Sequence, residues 1–220
     1  MTKIKPLTCC LLIIFSGNKI GYSQSTVNDA HHVFVRINPT GLTDVGDFNI
    51  SGGLEYKFNN KYGITLDGGW IFKSVYLMNI NSTSGFIIRP GFRTYFGLKN
   101  DYYFEIQLHY KQVKYKVTDS LQREINNGVA AYSEKSDFEY KKQVIGYRLL
   151  FGRKLALGRT KRFCLEFYAG FGIHYRKGTL VNQPASTEYY LNNPPGYIDM
   201  EISKGILPVV PAGIKVAWRI

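Results

Sequence analysis

Residues 163–175 read FCLEFYAGFGIHY, and this stretch decides the fold class of the chain. Its odd-numbered positions are apolar or aromatic, whereas its even-numbered positions include Glu166, Gly170 and His174. A repeat of two residues is the period of a β-strand, because successive side chains point to opposite faces of a sheet. The stretch is therefore predicted to be a strand with one apolar face and one mixed face.

Seven other segments of the 220-residue chain repeat this alternation. Aromatic residues make up 15% of the chain and only 8 residues are proline, a composition that favours strands. No uninterrupted apolar stretch approaches the roughly 20 residues of a membrane-spanning helix, which excludes a polytopic helical membrane protein. We predict a single all-β domain of eight strands. The other seven begin near Val33, Phe48, Tyr62, Phe86, Phe104, Ile145 and Ile214.

Residues 1–23 are predicted to form a secretory signal peptide. Two lysines precede an apolar run at 7–15, and small residues lie before a cleavage site after Ser23. The alternative is an uncleaved anchor, but the apolar run is too short to span a bilayer. Cleavage leaves residues 24–220 as the mature domain and lowers its formal net charge from +12 to about +9.

The apolar face of the strands is too large to be an interior. It carries roughly forty positions, many of them aromatic, whereas the interior of an eight-stranded barrel is only just filled by side chains. A soluble, lipocalin-type barrel would place these residues inside, where they do not fit. The opposite face is rich in glycine, which suits a crowded lumen. We therefore predict an eight-stranded antiparallel transmembrane β-barrel whose apolar face contacts lipid.

The connections between the predicted strands alternate between short and long. Outer-membrane barrels have short periplasmic turns, long extracellular loops, an even number of strands and both termini in the periplasm. The two longest predicted extracellular loops cover residues 118–137 and 178–204. Both are polar, and the second contains tyrosines and a Pro-Pro turn, a composition that suits recognition of a surface ligand.

Three stretches carry a resemblance to a known group of proteins. RPGFRTYFG at 89–97, AGFG at 169–172 and the terminal VAWRI at 216–220 resemble the small outer-membrane β-barrel families of Gram-negative bacteria, the OmpX/OmpW-like group. The resemblance implies location in the outer membrane and insertion by the barrel-assembly machinery, which reads the last strand. Ile220 stands where these families usually end on an aromatic residue.

A layer of charges is predicted on the inner face of the barrel. Acidic and basic residues recur there near the periplasmic end of successive strands, where unpaired charges would be costly. Expected neighbours include Asp67 with Arg93 or Arg89, Glu105 with Arg148, and Glu166 with Lys215 or Arg219. The layer is predicted to close the lumen; the alternative is a narrow channel with hydrated charges. Its members are Arg36, Glu55, Asp67, Arg89, Arg93, Glu105, Arg148, Glu166, Lys215 and Arg219.

A second basic group is predicted at the external ends of the strands, beside the phosphates of lipopolysaccharide. Each lysine or arginine there could contribute about 1 kcal/mol near an anionic surface. Nucleic acid is excluded as a partner because the basic residues are divided between two ends of an exported barrel. The group comprises Lys73, Lys111, Lys114, Lys116, Lys141, Lys142, Arg176 and Lys177.

No catalytic, metal or cofactor site is predicted. His109 and His174 share the inner face, but neither has a serine within two residues that could act as a nucleophile. After cleavage Cys164 is the only cysteine, which excludes intramolecular disulfides and thiol metal clusters. The sequence therefore predicts a non-enzymatic structural or surface-recognition scaffold. The alternative is a small outer-membrane pore for ionic or apolar solutes.

Overall fold

The structure is a computed structural model that describes residues 32–43, 46–75, 79–126, 129–184, 186–187, 189 and 204–220. The predicted signal peptide, 1–23, lies outside the described residues, as does the stretch 190–203 of the predicted loop 178–204. Within the described part, no helix is long and apolar enough to cross a membrane.

Nine antiparallel strands and one short 3-10 turn, Pro39–Thr43, make up the described fold. Consecutive strands pair from the first to the seventh, and the last strand pairs with both the seventh and the first, so the hydrogen bonds run around a complete ring. The strands are β1 His32–Asn38, β2 Asp47–Lys57, β3 Tyr62–Ser74, β4 Ile80–Phe96, β5 Tyr102–Arg123, β6 Tyr132–Leu157, β7 Phe163–Val181, β8 Gly205–Val209 and β9 Ala212–Arg219.

The predicted all-β, antiparallel, barrel-like fold is confirmed. Strands β8 and β9 both pair with β7, through Gly172 with Val209 and Ala169 with Ala212, so they share one position in the ring. The eighth predicted strand, which begins near Ile214, corresponds to β9 alone, and β8 was not predicted. The interruption falls beside Pro211, which has no backbone N–H to donate to a neighbouring strand. Around the ring, eight strand positions therefore remain.

The predicted orientation of the two faces is also confirmed. Leu108 and Ile145 on the outer wall are 60% and 58% exposed, although both are apolar. Glu105 and Arg93 on the inner face are fully buried. The barrel is thus apolar outside and charged inside, the reverse of a soluble barrel.

The two ends of the barrel differ in the length of their connections. At one end, which we call the turn end, the strands are joined by the short segments 58–61, 97–101 and 158–162. Gly97 and Gly158 have positive φ angles there, a conformation that tight turns use. The opposite end, the loop end, carries the connection to β8.

The prediction of a loop at 118–137 is wrong. β5 and β6 stay paired as far as Arg123 with Tyr132, so only residues 124–131 connect them. In residues 118–123 and 132–137 the side chains no longer alternate between apolar and polar, although the backbones remain paired. Leu121 is the only buried apolar side chain in 118–123 and 132–137, and a single apolar position cannot show a pattern of period two.

Candidate functional site

Eight charged side chains fill the lumen near the turn end, and we call them the charged layer. Each occupies an inward position of its strand, which follows from the alternation of side chains along the pleat. Each of the eight strands of the closed ring, β1 to β7 and β9, contributes one member. The charged layer consists of Arg36, Glu55, Asp67, Arg93, Glu105, Lys154, Glu166 and Lys215.

Arg93 is the centre of the charged layer. Its Nε donates to Glu105 at 2.8 Å, its Nη1 to Glu55 at 2.9 Å and its Nη2 to Glu166 at 3.0 Å. The guanidinium carbon also lies 4.0 Å from the centre of the Tyr103 ring. Because the three carboxylates belong to β2, β5 and β7, a side chain from β4 joins walls on opposite sides of the ring.

Three other cations complete the charged layer. Asp67 accepts hydrogen bonds from Arg36 at 2.5 Å and from Lys215 at 2.8 Å. The Nζ of Lys154 lies 3.1 Å from both oxygens of Glu55 and 3.3 Å from Glu166. Four acids therefore face four bases. Neutrality matters because a buried charge without a partner costs several kcal/mol.

The predicted partners within the layer are wrong, although most of the predicted residues do lie in it. Asp67 pairs with Arg36 and Lys215, whereas Arg93 takes Glu105 and Glu166. The prediction joined residues of adjacent strands, but long side chains inside a narrow ring reach across it. The pairing of adjacent strands does not show which side chains come close to each other across the ring.

Lys154 is a member that the sequence analysis missed. The alternation that begins near Ile145 is clear only as far as Phe151, so the sequence predicts that the strand ends there and that Lys154 lies in the following turn. In the structure β6 continues to Leu157, and Lys154 shares the inward parity of Arg148 and Leu150. The sequence signal that could have identified Lys154 is its separation from Arg148 and Leu150 by an even number of residues, which places all three on one face of a strand.

Arg89 and Arg148 lie in the lumen as predicted, but nearer the loop end than the charged layer. Arg89 donates its Nε to His109 Nδ1 at 3.2 Å, and Arg148 donates its Nε to His174 Nε2 at 3.1 Å. The two imidazoles stack with ring centres 4.4 Å apart. Each imidazole accepts from an arginine, which requires an unprotonated nitrogen there. Arg219 is half-buried at the turn end of β9.

Three of the eight residues predicted at the lipopolysaccharide rim are inside the barrel, and that assignment is wrong for them. Lys111, Lys142 and Arg176 are 8%, 1% and 4% exposed. The ammonium groups of the two lysines lie 2.5 and 3.2 Å from Asp47. The reason is parity, because these positions alternate in phase with inward residues such as His109. On the outer wall remain Lys73, Lys114, Lys116, Lys141 and Lys177.

The loop end of the lumen holds an apolar cluster that the sequence analysis did not identify. The sequence feature that could have indicated it is the presence of three apolar residues, Val113, Tyr115 and Val117, at consecutive inward positions of β5. The cluster contains Ile71, Ile87, Val113, Tyr115, Val117, Leu121, Phe138 and Tyr140.

Tyr189 covers this apolar cluster from the connection that follows β7. Its ring centre is 4.9 Å from that of Phe138, and its hydroxyl donates to Asp119 at 3.0 Å. Burial and the neighbouring carboxylate raise the pKa of Tyr189, which keeps the hydroxyl protonated as a donor. Arg123 holds the same connection by donating to Gln183 at 2.6 Å.

Among the residues that the structure describes, no group of three or more His, Cys, Asp or Glu is placed to hold a metal ion. The charged residues of the lumen instead bond to one another. Their arrangement fills space and neutralises charge.

Replacement of Arg93 by alanine is expected to cost about 3–5 kcal/mol of unfolding free energy, because buried Glu105 loses the cation it pairs with, and Glu55 and Glu166 each lose one of their cations. Arg153→Ala is the matched control, since Arg153 pairs with Asp101 at 3.2 Å while 43% exposed, and should cost below about 1 kcal/mol. Arg93→Lys should fall between them. Urea unfolding in detergent micelles, followed by tryptophan fluorescence, measures all three. Equal losses for Arg93→Ala and Arg153→Ala would contradict a central role for Arg93.

No family model, curated protein or solved structure matches the chain. The resemblance to the small outer-membrane barrels therefore rests on the three quoted stretches. Membrane location and partners stay predictions, and the geometry of the lumen and of the outer wall carries the functional argument.

Proposed function

We propose that the chain is an integral outer-membrane β-barrel that acts as a structural or surface-recognition scaffold, with a lumen closed by side chains. The observation that carries this proposal is the outer wall. It is apolar over most of its height and becomes polar abruptly toward the loop end.

The polar boundary follows the strand register across β4 to β7. One row across these strands contains Ile88, Tyr110, Ile145 and Tyr175, and the next row toward the loop end contains Phe86, Gln112, Gln143 and Lys177. A change within two residues is what a membrane interface imposes, because hydrocarbon excludes amides and ammonium groups. The row above contains Ser84, Lys114, Lys141 and Thr179.

The height of the apolar wall also supports the proposal. Near the turn end it finishes on stacked rings of Phe96, Tyr102 and Phe151, with centres about 6 Å apart. From Tyr102 to Gln112 the strand rises about 33 Å, or about 25 Å along the membrane normal at a tilt of about 40°. That is about the height of the apolar band of known outer-membrane barrels.

Membrane insertion can be tested with fluorophores on single cysteines in a cysteine-free background. Labels at Leu108→Cys and Ile145→Cys should be quenched by lipids that carry nitroxide on their chains, since these sites lie mid-wall. A label at Lys116→Cys is the control and should be quenched from water. The proposal fails if the mature chain stays monomeric in buffer without detergent and the fluorescence of its mid-wall labels is not quenched by the nitroxide lipids.

The lumen contacts favour a scaffold over the alternative pore. Arg93 bonds from β4 to β7, and Lys154 bonds from β6 to β2, so ion pairs cross the ring in two directions. The apolar cluster under Tyr189 adds a second obstruction at the loop end. Water and ions would have to separate both layers to pass.

Single-channel recording in planar bilayers is expected to show no steady open conductance for the wild type. Insertion is verified in the same membranes with the Leu108→Cys label, so that an absence of conductance can be attributed to a closed lumen. A steady open state would support the pore and contradict the closed scaffold.

The recognition role rests on the hairpin that β5 and β6 form beyond the barrel. β4 pairs with β5 only as far as Val117, and β7 pairs with β6 only as far as Glu139. Beyond these points the two strands pair with each other, and Arg123 bonds to Glu134 at 3.0 Å across them. The hairpin therefore extends beyond its neighbours in the ring with mostly polar side chains, and a ligand could dock on them.

Shortening the hairpin tests this role without disturbing the barrel. Deletion of residues 122–133, with Asn-Gly joining the paired positions Leu121 and Glu134, keeps the register through a two-residue turn. We expect normal folding, seen as unchanged gel mobility before heating, but weaker adhesion of cells that carry the variant. Unchanged adhesion would contradict recognition through the hairpin and leave a structural role.

A further inference from the structure

Two lysines lie directly opposite each other on the outer wall, one row above the polar boundary. Lys114 of β5 is the register partner of Lys141 of β6, and both alternate with inward residues. Like charges in this position destabilise a sheet. An anion bound between the two ammonium groups would attract both of them and offset their mutual repulsion.

Only part of this charge is neutralised within the protein. Glu139 lies 3.3 Å from Lys114. Among the described residues no acidic group lies within ion-pair distance of Lys141, and Lys116 and Lys177 add positive charge on the same side of the wall. The outer wall here is therefore net positive and complements an anionic ligand.

The groups beside the lysines are hydrogen-bond donors. The Oε1 of Gln112 already accepts from Tyr110 at 3.3 Å and from Gln143 at 3.3 Å, which leaves its NH₂ group as the end available to a ligand. Ser84, the register partner of Lys114, adds a hydroxyl. An ammonium pair with an amide and a hydroxyl donor suits phosphoryl oxygens.

An open crevice adjoins these donors and is apolar on its membrane side. Its volume is about 270 Å³, and it is lined by Trp70, Ser84, Gly85, Phe86, Gln112 and Lys114. Trp70 is 65% exposed and lies in register with Phe86. Aromatic rings below and donors above match an amphiphile whose headgroup is phosphorylated and whose chains run down the wall. A free phosphate would leave the aromatic part of the crevice unused.

We propose that Lys114 and Lys141, with Ser84 and Gln112, bind a phosphoryl group of a glycolipid in the surrounding leaflet, and that its apolar part packs on Trp70 and Phe86. This inference rests on the proposed membrane insertion and adds a defined lipid site to it. It also replaces the broad rim of eight cations with two residues that act together.

The test uses the full-length mature protein in lipid nanodiscs that contain diphosphoryl lipid A, with bound lipid counted by native mass spectrometry. Lys114→Gln with Lys141→Gln should weaken retention of this glycolipid at least tenfold. Lys73→Gln with Lys177→Gln is the matched control, since it removes two outer-wall cations that are not opposite each other, and should change retention by less than threefold.

Other outcomes would overturn the site. Equal losses in both double variants would mean a diffuse basic rim, and equal retention of dephosphorylated lipid A would mean that no phosphoryl group is recognised. Displacement by millimolar inorganic phosphate would point to a free-phosphate site. If the Leu108→Cys label shows insertion and the glycolipid is not retained, only this inference fails; if the protein does not insert, the proposed function fails as well.

Discussion

The guanidinium of Arg93 bonds to carboxylates from three other strands, and the rest of the structure depends on the neutrality that this interaction creates. An eight-stranded ring leaves an interior of side-chain width, so a charge there meets other side chains and little water. Four acids and four bases satisfy one another in the charged layer. Such a layer adds little net stability over apolar packing, but removal of one partner is costly, which ties the strands into one arrangement.

The filled interior determines the chemistry of the outside. Outside the apolar cluster at the loop end, the inner face carries mainly charged, polar and small residues, and the large apolar side chains of the same strands face outward. On the same outer wall, the boundary at Gln112 and Gln143 separates these apolar side chains from Lys114 and Lys141. The charged lumen and the apolar outer wall are thus two results of a single alternation.

The errors of the sequence analysis lie near the ends of the predicted strands. Residues were assigned by their distance from predicted strand ends, although parity carries the information. Lys111 and Lys142 were placed at an outer rim because they lie near the predicted ends, yet their parity is inward, toward Asp47. Lys154 was lost because the predicted β6 was too short. The hairpin after Val117 was interpreted as a loop because its side chains are almost all polar and show no apolar alternation.

By itself the sequence determined the all-β class, the eight strand positions of the ring and the apolar outer face, because these follow from a two-residue period and from the volume of side chains. It also identified most of the inward charges. Only the tertiary structure decided which charges meet, since Arg93 with Glu166 and Lys154 with Glu55 join strands that are not neighbours. Closure of the ring sets those distances, and no local pattern along the chain encodes them.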